Sequence, residues 1–180
     1  MNQRGRLGHN AQMSDVILRP IHEADLDDLS RYSTDPEAAG VFEWTGFSDP
    51  KSMRRRWEED GWLGEENGRL AVMSADSLAG DVSYKDRSPG ATKGAIYEIG
   101  IALFPAYRGQ GVGTVAQRLL VRYLFDTTPA HRIDAYTEVE NVAEQRALEK
   151  AGFEREGVLR GTMFRAGKWR DNTVYALLRD

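Results

Sequence analysis

Arg108-Gly109-Gln110-Gly111-Val112-Gly113 places three glycines at every second position behind an arginine. The run lies between an apolar extended stretch at 97–104 and an amphipathic helical stretch at 112–125. Glycine lets backbone come close to a ligand. The first turn of a helix offers unpaired N–H groups and the positive end of its dipole. Together these make an anion site, most often for phosphate. Arg108 adds a fixed positive charge with several donors. The pattern predicts a ligand that carries a pyrophosphate.

The elements that must hold this loop follow from periodicity and turn residues. Residues 15–20 read as a short strand closed by Pro20. Residues 23–32 read as a helix with acids in its first turns, broken at Asp35-Pro36. Ser48-Asp49-Pro50 opens another helix that runs to about Asp60. Its Arg54-Arg55-Arg56 run is a solvated face. Two strands at 70–74 and 78–84 flank Ala75-Asp76-Ser77, and a long strand at 94–104 stops at Pro105. After the glycines, Val112, Val115, Ala116, Leu119, Leu120 and Tyr123 form one helical stripe. A strand at 132–139, a short helix ending near Gly152-Phe153, and two strands within 157–178 complete the order. The order β-α-α-β-β-β-α-β-α-β-β predicts a single α/β domain over 14–180 with a mixed sheet. Residues 1–13 are expected to be a flexible tail.

Bulk properties narrow the function. The 180 residues suit one domain with a good core. With no cysteine there is no disulfide, thiolate ligand or Cys nucleophile. His9, His22 and His131 are scattered without metal-ligand spacing, so no metal is expected. A net charge of −4 disfavours nucleic acid and suits a cationic substrate. No membrane span and no signal-peptide core appear, so a cytoplasmic location is expected. Gly111-x-Gly113-x-x-Ala116 also fits the loose dinucleotide fingerprint, with Asp134 as its acid. However, six residues, 105–110, separate the strand from Gly111, where that motif needs a tight turn.

Arg108-x-x-Gly111-x-Gly113 resembles the signature of the GNAT superfamily of N-acetyltransferases. Its surroundings strengthen the resemblance: Glu98-Ile99-Gly100-Ile101 before it, Asn141 after the next strand, and Leu148-Glu149-Lys150-Ala151-Gly152-Phe153 beyond. The tail, with Gly167-Lys168-Trp169-Arg170-Asp171, is similar to the branch holding ribosomal-protein, spermidine and antibiotic acetyltransferases. The resemblance implies an α/β fold with a central mixed, partly splayed sheet flanked by helices, and transfer of an acetyl group from acetyl-CoA to a primary amine, on a small molecule or a peptide N-terminus, in a monomer or homodimer. A non-catalytic acyl-CoA-binding regulatory module is the alternative.

The resemblance also assigns residues. The pyrophosphate falls on the amides of Arg108, Gly109, Gln110, Gly111, Val112 and Gly113, with Thr114 as a hydroxyl donor. Ile101, Ala102 and Leu103 supply backbone partners to the pantetheine arm, between two splayed parallel strands. A free N–H there also stabilises the oxyanion. Asn141 matches a pantetheine contact, while Asn141-x-x-Glu144 reads equally as a capping box. Glu98 is the candidate general base, a carboxylate whose burial would raise its pKa. Leu148 and Glu144 stand where relatives carry an acidic hydroxyl. The thiolate then leaves unassisted or takes its proton from water, Tyr136, Tyr97 or Tyr175. Glu43 and Trp44, in a loop bounded by Gly40 and Gly46, are the candidate amine contacts. Trp57 and Trp62 are expected to pack helices on the sheet.

Overall fold

The computed structural model describes residues 15–64, 66–90 and 92–179. The expected tail at 1–13 lies outside them. The first strand, β1 (Val16–Pro20), leads through a 3₁₀ turn (Glu23–Asp25) into α1 (Leu26–Thr34). Asp25 locks this entry. Its carboxylate takes both guanidinium nitrogens of Arg19 at 2.6 and 2.9 Å and the N–H of His22 at 2.8 Å. Asp35-Pro36, expected only as a break, instead starts a four-residue helix, α2 (Pro36–Ala39). Asp35 accepts the N–H of Glu37 at 2.9 Å as its cap, and Pro36 arrives with a helical φ.

Next come α3 (Ser52–Asp60), β2 (Asn67–Ser74), β3 (Ser77–Asp86) and β4 (Ile96–Leu103). A 3₁₀ turn at Pro105–Tyr107 precedes α4 (Val112–Thr127). The chain ends with β5 (Arg132–Glu138), α5 (Val142–Ala151), β6 (Glu154–Arg165) and β7 (Lys168–Leu178). The sequence had placed most of these within a few residues, because apolar periodicity sets them. Among the described residues no helix is long and apolar enough to cross a membrane.

The seven strands form one sheet in the order β1-β2-β3-β4-β5-β7-β6. β4 and β5 run parallel; the other neighbours run antiparallel. The parallel pairing covers Ile96↔Arg132 to Ile99↔Ala135 and then stops. β4 nevertheless stays paired with β3 as far as Leu103, and β5 with β7 as far as Glu138. The sheet therefore splits into a V beyond Ile99, the splay that the family resemblance implied.

Alternation along the strands gives the sheet two different faces. Leu70, Val72, Val82, Ile99, Ile133 and Ala135 pack with Ala116, Leu120, Leu124 and Leu148 of α4 and α5 as the main core. Burial of each such leucine contributes roughly 1.5–3 kcal/mol. On the opposite face a smaller core of Ile21, Leu26, Leu29 and Ala71 is covered by Met53, Trp57 and Trp62. Trp57 donates its indole N–H to the Ile21 carbonyl at 2.9 Å, and Trp62 to that of Met53 at 3.0 Å. Both tryptophans are packing residues, as expected.

Gly80 holds β3 against the free arm of the V. Its φ is +147°, and a Cβ there would lie 2.0 Å from the Ala102 carbonyl oxygen. Strained backbone and a rigid neighbour both oppose any side chain. Gly80→Ala is expected to cost at least about 2 kcal/mol and to lower the melting temperature by several degrees. Thermal unfolding checks it, and an unchanged melting temperature contradicts it.

Candidate active site

The glycine loop borders a cavity of about 560 Å³. Gly109 and Gly111 adopt φ of +70° and +83°, with no atom within 4 Å of where a Cβ would stand. Gly111 is the N-cap residue just before α4, and the amides of the first turn that follows have no acceptor within the helix. Gly109, Gly111, Gly113 and Thr114 line the cavity. The side chains of Gln110 and Val112 do not: Gln110 bonds the Ala106 carbonyl and Val112 is buried in the core.

Arg108 departs from expectation. Its side chain is not a set of free donors but a strut. Nε donates to the Leu103 carbonyl at 2.8 Å, and Nη2 lies 3.0 Å from the carbonyls of Ala38 and Ala39 and 3.1 Å from the Tyr32 hydroxyl. A four-residue helix leaves its last carbonyls without partners, and this guanidinium supplies them. Its charge still borders the cavity, together with Arg146 and Lys150.

The V carries this cavity towards the other face of the sheet. The Phe104 N–H donates to Ala79 on the β3 side at 2.9 Å. Alternation then turns the backbone groups of Ile101 and Leu103 into the V and those of Ala102 towards β3. The contact between the Ala102 oxygen and Gly80 confirms that direction. Ala102 is therefore not a backbone partner for a ligand in the V, and the Leu103 carbonyl is already taken by Arg108. The Ile101 groups and the Leu103 N–H remain.

A second cavity, of about 620 Å³, adjoins the first. Glu43, Asp81, Glu98, Glu138 and Glu144 line it, against Arg69 and Arg87. Burial pushes the Asp81 carboxyl up, and Arg69 at 3.2 Å pulls it back. Glu43 is exposed, yet its carboxyl is also raised, first by the desolvating atoms around it and then by Asp81, with Arg108 and Arg69 opposing. Glu138 takes two bonds from Arg165 at 2.5 and 2.6 Å.

Glu98 reaches this cavity without the burial expected of it. Its side chain is 32% exposed and accepts a 2.7 Å bond from Arg87 Nε. The Arg87 N–H bonds the Ile96 carbonyl, which brings the arginine alongside. Of the three tyrosines considered, Tyr136 borders the cavity, while Tyr97 and Tyr175 belong to the main core. Glu43 borders both cavities. Trp44 does not: it lies edge-on to Phe47, 5.1 Å away, in a separate groove beside Gly40 and Phe164.

Asn141 and Glu144 also border both cavities. The capping box forms only by half. Asn141 Oδ1 accepts the Glu144 N–H at 3.3 Å, but the Asn141 N–H goes to the Glu138 carbonyl at 2.8 Å. The Glu144 carboxylate turns instead to the side-chain amide of Gln117. Burial raises it to about 7; the Gln117 bond opposes the shift and Glu43 adds to it. Neither Gln117 nor the carboxyl of Glu144 stood out in the sequence as functional. The available signal was a glutamine on the buried stripe of α4, beside Ala116, Leu120 and Val121.

A carboxyl raised by folding binds its proton more tightly in the native state than in the unfolded chain. Its contribution to stability is fully present below the ordinary carboxylate range and is lost as pH rises to about 7. Glu144→Gln removes that loss. Between about pH 5 and about pH 8 the variant should gain roughly 1–3 kcal/mol on the wild type. Urea unfolding of both chains measures it, and a constant difference across pH contradicts it.

A family model for the acetyltransferase (GNAT) domain matches residues 15–154. The chain is similar to the probable N-acetyltransferase YjcK of Bacillus subtilis (strain 168), at 41% identity over 109 residues covering 61% of this chain and 59% of that one. The matched stretch is thus a little over half of that relative's length. It is also similar to the uncharacterized N-acetyltransferase p20 of Bacillus licheniformis, at 27% identity over 170 residues, 91% of this chain and 93% of that one. In fold it matches the spermidine N-acetyltransferase of Vibrio cholerae, solved in complex with CoA and spermine, with a TM-score of 0.79, 20% identity and coverage of 92% and 96%. With its glycine loop, split sheet and matching domain, this chain belongs to the GNAT family of acetyltransferases.

Proposed function

We propose that the chain moves an acetyl group from acetyl-CoA to the primary amine of a small molecule, by direct attack in a ternary complex. One observation carries this reading: a cavity edged by arginine and lysine and a cavity edged by carboxylates meet at the V between β4 and β5. Acetyl-CoA is anionic at one end and uncharged at its thioester, and the acceptor is a cation. The Vibrio cholerae structure, which holds CoA and spermine, supports the pairing of such ligands on this fold.

In this reading the pyrophosphate lies on the amides from Gly109 to Gly113, with Thr114 beside it and Arg146 and Lys150 supplying charge. The pantetheine arm fills the V and bonds the Ile101 backbone. A strand N–H there faces the thioester oxygen; one such donor is worth roughly 3–4 kcal/mol in the transition state. Glu43 and Asp81, which line the same cavity, hold the ammonium group, since carboxylates accept from its donors in charge-assisted bonds. Glu98, held by Arg87, takes the proton that the ammonium must lose before it can attack. An acid-lined cavity of about 620 Å³ suits a small amine, whereas a peptide needs a groove beside a free strand edge.

Incubation with acetyl-CoA and a pool of polyamines, aminoglycosides, amino acids and short peptides, read by mass spectrometry, tests the reading. An acetylated small amine is the expected product. Acetylated peptides alone would move the acceptor class to protein N-termini. No product, with acetyl-CoA still bound, would contradict catalysis and favour a binding module. With the amine in hand, Glu98→Gln should lower turnover by about 10²-fold and leave acetyl-CoA binding intact. Unchanged turnover removes Glu98 from the mechanism.

A further inference from the structure

We infer that, once the amine is neutral, the Glu144 carboxyl relays the proton of the bond exchange itself, giving one to the leaving sulphur and recovering one from the new amide nitrogen. The inference rests on the acetyl-transfer reading above. Five residues border both cavities: Phe42, Glu43, Ile101, Asn141 and Glu144. Thioester and amine must meet where the cavities meet, so a group that serves both belongs to this set. Two of the five ionise. Glu43 sits in a loop and faces Arg108, Arg69 and Asp81, which suits it to holding the ammonium. Glu144 sits in the first turn of α5, where Asn141 caps the backbone and leaves the carboxyl free of the helix.

Gln117 makes this carboxyl suitable for carrying a proton. It is 2% exposed, its Nε2 is spent on Glu144, and its Oε1 is buried with no partner. An amide offers a donor on one side and an acceptor on the other, and a half-turn exchanges them. The carboxylate of Glu144 finds the Nε2 donor; the protonated carboxyl finds the orphaned Oε1. Each protonation state therefore has a partner within the same pair of side chains. The charged groups around the two cavities are Glu43 from the 41–43 loop, Arg108 from the glycine loop, Arg146 and Lys150 from α5 itself, Asp81 and Arg69 from β3 and β2, Arg87 just beyond β3, Glu98 from β4 and Glu138 from β5. Burial, with Glu43 adding, holds the carboxyl near neutrality, so both states are populated at working pH.

The step balances. The amine nitrogen bonds the acetyl carbon, the carbon–sulphur bond breaks, and sulphur leaves with the electron pair. Sulphur takes the Glu144 proton, the carboxylate then takes the second proton from the nitrogen, and Glu98 releases to solvent the one it took from the ammonium, so the protein returns to its starting state. The position therefore fills the role left open by the absent hydroxyls at 144 and 148, the second being Leu148, which is 1% exposed in the core.

The test compares wild type, Glu144→Gln and Glu144→Asp, with the amine identified in the pool, from about pH 5.5 to about pH 9. Glu144→Gln should lower kcat by about 10²-fold and abolish the limb of the kcat profile near neutrality. The amine KM and acetyl-CoA binding should stay within about three-fold, because uniform binding is untouched. Glu144→Asp, which keeps a carboxyl on a shorter arm, should recover part of kcat and the limb. A Glu144→Gln chain within three-fold of wild-type kcat, or one that keeps the limb, overturns this assignment while the acetyltransferase reading stands. A wild type that binds acetyl-CoA and acetylates nothing in the pool overturns both.

Discussion

Beyond Ile99 and Ala135, β4 and β5 keep their outer partners and lose each other. That split governs the rest of the site. Strand backbone that faces no partner leaves donors and acceptors unpaired, at a cost of about 1–3 kcal/mol for each buried group. The chain answers part of this itself: Arg108 covers the Leu103 carbonyl and ties the arm to α2. The rest is a ready-made edge for an extended ligand with amides of its own. Gly80 keeps the arm seated on β3, because only a residue without a side chain can lie so near the Ala102 carbonyl.

The split also separates two electrostatic environments that would otherwise neutralise each other. On the helix side, Arg108, Arg146 and Lys150 surround the start of α4. On the other side, carboxylates from the 41–43 loop, β3, β4, β5 and α5 converge. Buried acids repel one another and resist charging. The protein offsets some of this with arginines: Arg165 on Glu138 and Arg69 beside Asp81. Among the described residues no arginine pairs closely with Glu43 or Glu144, and both are raised. The unpaired acids stand at the mouth of the V, where a cationic amine would supply the missing countercharge.

Much of the fold was legible before any coordinates. Apolar periodicity and Pro or Gly punctuation located the strands and the long helix, and the glycine run marked where α4 begins. What the sequence hid were relations between distant residues. The Arg108 donors are occupied by carbonyls about seventy positions away. Whether Ala102 faces a ligand or a neighbour depends on strand register, which one strand does not reveal. Glu98 is paired because Arg87 returns beside it from the end of β3. Trp44, near Glu43 in sequence, turns to a different groove. Glu144 read as half of a capping box, and only the placement of α4 against α5 shows its carboxyl meeting Gln117.

A crystal structure of the chain with bound CoA tests the account most directly. It predicts the pyrophosphate on the amides from Gly109 to Gly113, the pantetheine arm in the V bonded to the Ile101 backbone, and the thiol at the junction of the cavities beside Glu144. A CoA molecule that leaves the V empty, or whose thiol points away from Glu43 and Glu144, contradicts the claim that the split sheet brings the two reactants together.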